Sequence, residues 1–404
     1  MMVYKKTPLA KNQGSFFAVR FFKNQFKKGS KGMPVTLREV VTPKDRRTFI
    51  FLPEKIHKGH ASWLPPLFAD EIKYFDPRKN PSFKTCDYRM VLAEKDGKTV
   101  GRIMGIINRK HNEMMGLKNV RFSFMECYND PEVFHALIND IEKWGKKKGM
   151  NKIIGPFGFS DRDIQGFLIE GFNYEPVLDS ACNFEFMPAM VEREGYVKDI
   201  DCVIHRHPLS AEMPEIFDRM YKRVVSKKSF RFLEFTSRKQ MKPYIVPVLH
   251  LVNESFSGIY GFVPMEEDEM YDLAKRYLPL LDPRFVKIVA KDDDVVAMLI
   301  SMPNMYRGIQ KARGRFLPFG IFHILHAMKN AESINTMLGA VSPKFQKQGL
   351  DVFLGLSTIK AAKKANMKSV DTHVVMEKNE DMMDVMTRYD AHLIKKFRIY
   401  QKAI

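Results

Sequence analysis

The sequence predicts an α/β protein built from two halves that repeat one plan, and three observations predict it. Two strand–turn–strand patterns recur, Val91–Asn108 around Asp96-Gly97 and Phe285–Met302 around Asp292-Asp293-Asp294; each sets apolar and β-branched runs on either side of turn formers. Each hairpin pattern is followed by a strand and a long helix, over 121–149 and 336–365. Each half closes on a strand, over 199–205 and 394–401. A repeat of about half the chain argues for tandem domains rather than a solenoid. The junction is placed at His207-Pro208-Leu209-Ser210, where a proline and a helix start break the pattern.

Taken in order, residues 1–32 carry eight Lys or Arg, no acid and five phenylalanines. This basic aromatic extension is expected to be disordered; the same composition suits contact with an anionic bilayer, and Met33 is an alternative start. Val35–Val40 reads as a strand, and Thr42-Pro43 opens a helix with proline at its first position. The loop Trp63-Leu64-Pro65-Pro66-Leu67 is too apolar for a linker and is expected to fold over the domain. After the first hairpin, Arg121–Tyr128 is a strand, and Asp130-Pro131 caps a helix that ends at Gly149. Lys152–Gly155 is a strand, Glu185–Glu194 a helix and Asp199–His205 the closing strand. The second half opens with helices over 211–226 and 240–256. The expected division is therefore 1–32, an N-terminal domain at 33–207 and a C-terminal domain at 208–404.

Composition narrows the functional classes. The chain has 404 residues, 45% hydrophobic content and a net charge of +19, enough for two cores and biased toward anionic partners. Four widely spaced cysteines form no C-x-x-C pair, so no metal site or disulfide framework is expected and a reducing cytoplasm fits. No run of about eighteen apolar residues is present to span a membrane. The positive charge is spread rather than gathered beside a nucleic-acid-binding pattern, which disfavours nucleic acid as the partner.

The stretch Thr336–Asp351 carries the clearest signal. An apolar strand delivers Gln346-Lys347-Gln348-Gly349-Leu350-Asp351-Val352 to the start of a helix over 351–365. Free N–H groups and the positive helix end make such a turn an anion site, and Gly349 lets the backbone approach a ligand. Gln346-x-x-Gly349-x-Asp351 after such a strand resembles the acyl-CoA-binding turn of the GNAT acyltransferase superfamily, whose pattern is Gln/Arg-x-x-Gly-x-Gly/Ala. The order of elements over 211–404 matches that family. The stretch around Trp63, with Val100-Gly101-Arg102-Ile103 and Asn108-x-x-His111-Asn112, resembles an uncharacterised bacterial group of GNAT-like proteins. The resemblance implies two tandem domains, each a mixed, mostly antiparallel sheet flanked by helices. It also implies a CoA pyrophosphate held by the N–H groups of about Gln348–Val352. Asp351 departs from the pattern and is expected to turn away, as an N-cap. In the first half the equivalent helix start is Asn129-Asp130-Pro131-Glu132, whose acids would repel a pyrophosphate, so CoA binding is expected in the C-terminal domain alone.

Acyl transfer to an amine requires a bound thioester, an oxyanion donor and a base. The resemblance implies that a bulged N–H near Leu338–Val341 serves the oxyanion. Asp371 and His373 alternate on one predicted strand, so either is a base candidate facing the motif strand. The family's leaving-group tyrosine falls in register on Met386, with Tyr389 one turn later as the substitute. Glu126 is a second base candidate, and His111 and Asn112 read as a structural polar pair. Arg313, Arg315, Phe316, Leu317 and Phe319 lie in an insertion over 308–322 that mixes bases with aromatics, as a membrane- or lipid-gripping loop would.

The functional expectation is an acyl-CoA-dependent N-acyltransferase. It takes acetyl-CoA or a longer acyl-CoA as cosubstrate and a primary amine as acceptor, the amine being long-chain or lipidic, with peripheral contact to an anionic membrane. One alternative is acetyl transfer to a small soluble amine. Another is a non-catalytic tandem module that binds an anionic ligand or a membrane, which Asp351 and Met386 favour.

Overall fold

A computed structural model describes residues 33–210, 215–227 and 229–404. The basic extension and residues 211–214 of the helix expected over 211–226 lie outside these residues. Fourteen strands form one sheet: β1 (Thr36–Glu39), β2 (Cys86–Lys95), β3 (Lys98–Asn108), β4 (Asn119–Cys127), β5 (Lys152–Gly155), β6 (Phe167–Glu170), β7 (Val197–Pro208), β8 (Arg231–Leu233), β9 (Val286–Lys291), β10 (Asp294–Pro303), β11 (Ser333–Val341), β12 (Ser369–Asp371), β13 (Val375–Met376) and β14 (His392–Ala403). The spatial order is β1-β2-β3-β4-β5-β14-β7-β12-β11-β10-β9-β8, with β6 on β14 and β13 on β7. Among the described residues only β4–β5 and β11–β12 are parallel pairs. The fold class expected from the sequence is therefore present: helices flank a mixed, mostly antiparallel sheet with the same plan in each half.

The local signals worked as the chemistry predicts. Thr42 closes a capping box with Asp45 ahead of the helix Pro43–Ile56. The Asp130 carboxylate accepts from the N–H groups of Glu132 and Val133 at the start of the helix Pro131–Lys147. Asp96 and Gly97 both take positive φ, 51° and 71°, as a tight hairpin turn requires. The apolar faces of β2–β5 and the helix Pro131–Lys147 meet in one core around Ile103, Phe122, Leu137 and Ile141. The second half builds its cores on both faces of β9–β11, with the helices Ile245–Ser255 and Leu350–Lys364.

Beyond the expected plan, the two halves exchange closing strands. β14, the last strand of the chain, lies between β5 and β7; β7, the last strand of the first half, lies between β14 and β12. These two twelve-residue strands run antiparallel from His392↔Arg206 to Gln401↔Val197. Phe397, Ile399, Tyr400, Ile204 and Cys202 bury their side chains along the seam. The junction expected at 207–208 is consequently the paired end of a strand inside the sheet, His207↔Val370 and Pro208↔Ser369.

Ion pairs pin this seam. Asp201 is 1% exposed and accepts from Arg398 at 2.8 and 3.0 Å, with Lys198 at 2.8 Å. Burial opposes its charge, but the Arg398 and Lys198 hydrogen bonds outweigh it and hold the carboxyl at about 2. Arg206 grips Asp371, which is wholly buried, through two bonds of 2.7 and 2.8 Å; these hydrogen bonds hold the guanidinium pKa up against the cost of burial.

The expected strand Ser369–Val375 is broken, which corrects the sequence reading. β12 ends at Asp371, because Thr372 turns to exchange bonds with His205, donating from N at 2.8 Å and accepting at Oγ1 at 2.9 Å. His373 N then donates to Thr336 Oγ1 at 3.1 Å. Asp371 and His373 therefore do not share one strand face. The insertion over 308–322 also differs from a plain loop: it runs from the end of the helix Tyr306–Lys311 into the start of the helix Gly320–Lys329.

Arg206→Met leaves a buried carboxylate unpaired and is expected to cost about 3 kcal/mol. Because closing strands are exchanged, the loss appears as a shift of one cooperative melting transition rather than melting of one half. An acid titration follows from Asp201: its folded pKa lies below the unfolded one, so its stabilisation is present above pH ~4 and is lost as pH falls toward about 2. In Asp201→Asn the stability change over that interval is expected to be smaller, read by denaturation at stepped pH.

Candidate acyl-transfer site

The site is built where β11 leaves β12. The two strands pair in parallel only at Ser333↔Ser369, Ile334↔Val370 and Asn335↔Asp371. From Thr336 onward β11 runs on to Val341, still bonded to β10 along its other edge. The gap between β11 and the chain after Asp371 is a fork, with Thr336 at its apex bridging the Asp371 carbonyl at 3.4 Å and the His373 N–H at 3.1 Å. The β10–β11 register shifts so that Ile300 faces Leu338 and Ser301 faces Thr336. Met337 is the extra residue of a β-bulge, which turns backbone groups out of the ladder. The bulge falls just before the expected interval, Leu338–Val341. Asn335 Nδ2 and Ser301 Oγ are buried at the fork without protein partners.

β11 then leads through Ser342 and the turn Pro343–Phe345 to the helix Leu350–Lys364. Gly349 is the N-cap at φ +84°, and no side chain caps the helix. A Cβ at Gly349 would also sit 2.9 Å from Val224 Cγ2 on the helix Glu215–Val225. Conformation and space thus both demand glycine. Asp351 is not the N-cap; it stands exposed in the first helical turn. Gln346, Lys347 and Gln348 form the turn before Gly349, with Lys347 at φ +60°, while Leu350 and Val352 anchor the helix in the core. Lys227 Nζ donates to the Gln348 carbonyl at 3.3 Å from 121 residues away. Sequence reasoning missed Lys227, and no local pattern marks it. Uncapped N–H groups, the positive end of the helix dipole and the nearby lysines are chemistry that suits a diphosphate.

The three catalytic candidates are not brought together. Asp371 is committed to Arg206. His373 lies at the fork; burial lowers its pKa to about 4, so the ring is neutral, and its Nδ1 has no partner. Tyr389 caps the helix Glu380–Arg388 and packs on Phe217 at 4.6 Å. Its hydroxyl faces Gly355 of the motif helix, where a Cβ would approach to 3.0 Å, and burial followed by the Asp351 charge keeps it protonated.

The first half has the matching fork but fills it. β4 and β5 pair only from Asn119↔Lys152 to Arg121↔Ile154. Arg121 donates to the carbonyls of Gly158 and Phe159, both at 2.9 Å, and lies 4.4 Å from the Phe157 ring. The helix start is occupied by Asp130 and Glu132, which share Lys95 at 2.8 Å. His111 and Asn112 are buried on a short helix, Asn112 bonding the Asn119 carbonyl at 2.9 Å, a structural pair. Among the described residues no group of His, Cys, Asp or Glu is arranged to hold a metal.

No protein-family model matches the chain. It is 27% identical over 373 residues, 90% of its length, to a bacterial ceramide synthase of Caulobacter vibrioides (strain NA1000 / CB15N), of which it covers 96%. It is 26% identical over 379 residues to Protein YghO of Escherichia coli (strain K12), covering 91% of this chain and 95% of that one. Among solved structures, a tandem GNAT protein from the clavulanic acid biosynthesis pathway superposes with a TM-score of 0.52 at 10% identity, over 91% of this chain and 98% of that one. A GCN5-related glucosamine N-acetyltransferase region of a fungal β-N-acetylglucosaminidase gives 0.51 at 11% identity, over 91% of this chain and 38% of that one. The chain therefore carries the GNAT fold, and a tandem GNAT protein is among the solved structures that it resembles.

Proposed function

We propose that the protein is an acyl-CoA-dependent N-acyltransferase whose C-terminal half binds the thioester. The observation that carries this reading is the open β11–β12 fork, with its bulge at Met337, leading directly to the uncapped helix start at Gly349. The diphosphate of CoA lies against the N–H groups of Gln348, Gly349, Leu350, Asp351 and Val352, with Lys227, Lys344 and Lys347 as counter-charge. The pantetheine arm runs into the fork, so that the thioester oxygen meets the N–H of Met337 or Leu338 at the bulge. Thr336 and the Arg206–Asp371 pair fix the shape of the fork. Gln346 sets the turn, and Tyr389 props the motif helix.

The acceptor is a primary amine on a long-chain lipid. The segment 295–331 contains no acid and five Lys or Arg. It exposes Leu317 at 80%, Phe319 at 68% and Phe322 at 65%. An apolar tip of this kind beside Lys311, Arg313 and Lys329 suits the surface of an anionic bilayer. The name of the Caulobacter relative, a ceramide synthase, supports amide formation on a long-chain amino alcohol. No helix of the described residues is long and apolar enough to cross a membrane, so contact is peripheral in this reading. Acetyl transfer to a small amine remains the competing reading, and it gives the apolar tip no role.

Gly349→Asp places a strained carboxylate in the turn. Palmitoyl-CoA raises the melting temperature of the wild type; in a folded Gly349→Asp variant that rise is expected to disappear, with affinity down at least tenfold. An unchanged rise would place the cosubstrate elsewhere. Phe319→Ser with Phe322→Ser is expected to lower co-sedimentation with phosphatidylglycerol-containing vesicles severalfold and to leave palmitoyl-CoA affinity intact. Equal sedimentation of the variant would remove the membrane-facing tip from the account.

A further inference from the structure

The first half has lost the anion turn, yet it retains a connected set of ionisable side chains. His57 closes the helix Pro43–Ile56 and is 2% exposed. Its Nε2 lies 2.9 Å from Glu126 Oε2, and its Nδ1 lies 2.9 Å from His60 Nδ1. The His57 ring is clamped between Trp63 at 5.0 Å and Phe184 at 4.7 Å, both within a few degrees of parallel; Phe184 also stacks on His60 at 4.3 Å. Glu126 stands on the part of β4 that has left β5, just past the bulge marked by Phe124 at φ +51°. Burial opposes its charge, but His57 and then Arg102 hold it ionised. Arg102, 4% exposed, keeps a buried Nε without a partner beside this carboxylate.

The hydrogen bonds allow one arrangement with a free base: with His57 as the neutral Nε2–H tautomer, Nε2–H donates to Glu126 and Nδ1 accepts. His60 must then donate from Nδ1, so its Nε2 carries a free lone pair, and no partner among the described residues occupies it. The result is a Glu–His–His chain with one open end, half-exposed at His60. Two histidines held by stacked aromatics at this cost are not explained by packing alone, since an apolar triplet would fill the same space more cheaply.

The turn that carries the open end lies against the other half. The turn that carries His60 is tied to the insertion of the second half: Gln310 Nε2 donates to the carbonyls of Ala61 and Trp63 at 2.9 and 2.8 Å. The next residue, Leu64, packs with Leu67 and Leu178 in the apolar cluster that also contains Met337, the bulge residue of the C-terminal fork. Cys182 links the same region, sensing both Lys395 and Glu126. By contrast His373 is enclosed, and among the described residues no ionisable group is hydrogen-bonded to its ring.

We infer that the N-terminal half supplies the base for the reaction at the C-terminal thioester, with His60 Nε2 accepting the acceptor's ammonium proton and His57 and Glu126 acting as positioning residues behind it. This rests on the acyl-transfer reading. In the step, the ammonium gives one proton to His60, and charge passes back along the chain toward Glu126. The freed nitrogen lone pair attacks the thioester carbonyl carbon and a C–N bond forms. The C–S bond breaks, and the proton held by the chain returns to the thiolate to give CoA. The second nitrogen proton leaves to solvent with the amide complete. No other reactant is needed.

The test uses the full chain with palmitoyl-CoA as donor and sphinganine as the amine probe, following thiol release at pH 7 and pH 9.5. The titratable and charged groups facing the chain are Arg102, Cys127 and Cys182, which the variants leave in place. His60→Asn and Glu126→Gln are each expected to lower kcat at pH 7 by about 100-fold, with palmitoyl-CoA affinity unchanged. The deficit is expected to shrink at pH 9.5, where more of the amine is already unprotonated. His373→Gln is expected to lose less than tenfold. A loss below threefold in His60→Asn, or a loss equal at both pH values, would overturn the relay. If the wild type itself releases no thiol with these probes, the acyl-transfer reading falls first and the relay falls with it.

Discussion

Everything in this molecule depends on the antiparallel pairing of β7 with β14. Each strand closes the half to which it does not belong in sequence, so neither sheet is complete without the other half. The pairing places Asp201 against Arg398, with Lys198 of the same strand beside it, and on its other edge β7 sets Arg206 against Asp371 of β12. Charges this deep stabilise less by attraction than they penalise any other register, since a slip by one residue would strand a buried carboxylate. The seam also fixes the C-terminal fork. β12 is trapped between β7 and β11, and it ends where Thr372 turns to bond His205. The opening of the fork is thus set by the first half.

One plan has produced two different ends. Both halves have a parallel pair that splays and a long helix nearby. In the second half a glycine at φ +84° leaves the helix start uncapped. In the first, Asp130 accepts from that helix start directly and Lys95 neutralises it, while Arg121 and Phe157 fill the fork. In the proposed reading the second half holds the CoA group and the first keeps its ionisable residues for proton transfer, so the base need not sit on the strands that hold the thioester.

The legible part of the fold was the local part. Thr42-Pro43, Asp130-Pro131 and Asp96-Gly97 marked helix starts and a hairpin because capping and positive φ act within a few residues. Gln346 to Gly349 marked the turn for the same reason. Strand exchange left no trace, because β5 and β14 come from different halves of the chain and alternation along a strand does not name its neighbour. The break after Asp371 was also hidden: Ser369–Val375 has strand composition throughout, and only the tertiary bonds of Thr372 end it. Lys227 reaches Gln348 across 121 residues with no local signal. His57 and His60 did carry one, a three-residue spacing at a helix end followed by Trp63, and Glu126 on an apolar strand was its distant partner.

Calorimetric titration of the full chain with CoA, acetyl-CoA and palmitoyl-CoA tests the proposed binding of a long-chain acyl-CoA at the C-terminal turn and fork. One site per chain is expected for all three, with palmitoyl-CoA the tightest because the acyl chain adds apolar burial to the shared diphosphate contact. Absence of binding by all three would contradict it and leave a fold without its cosubstrate.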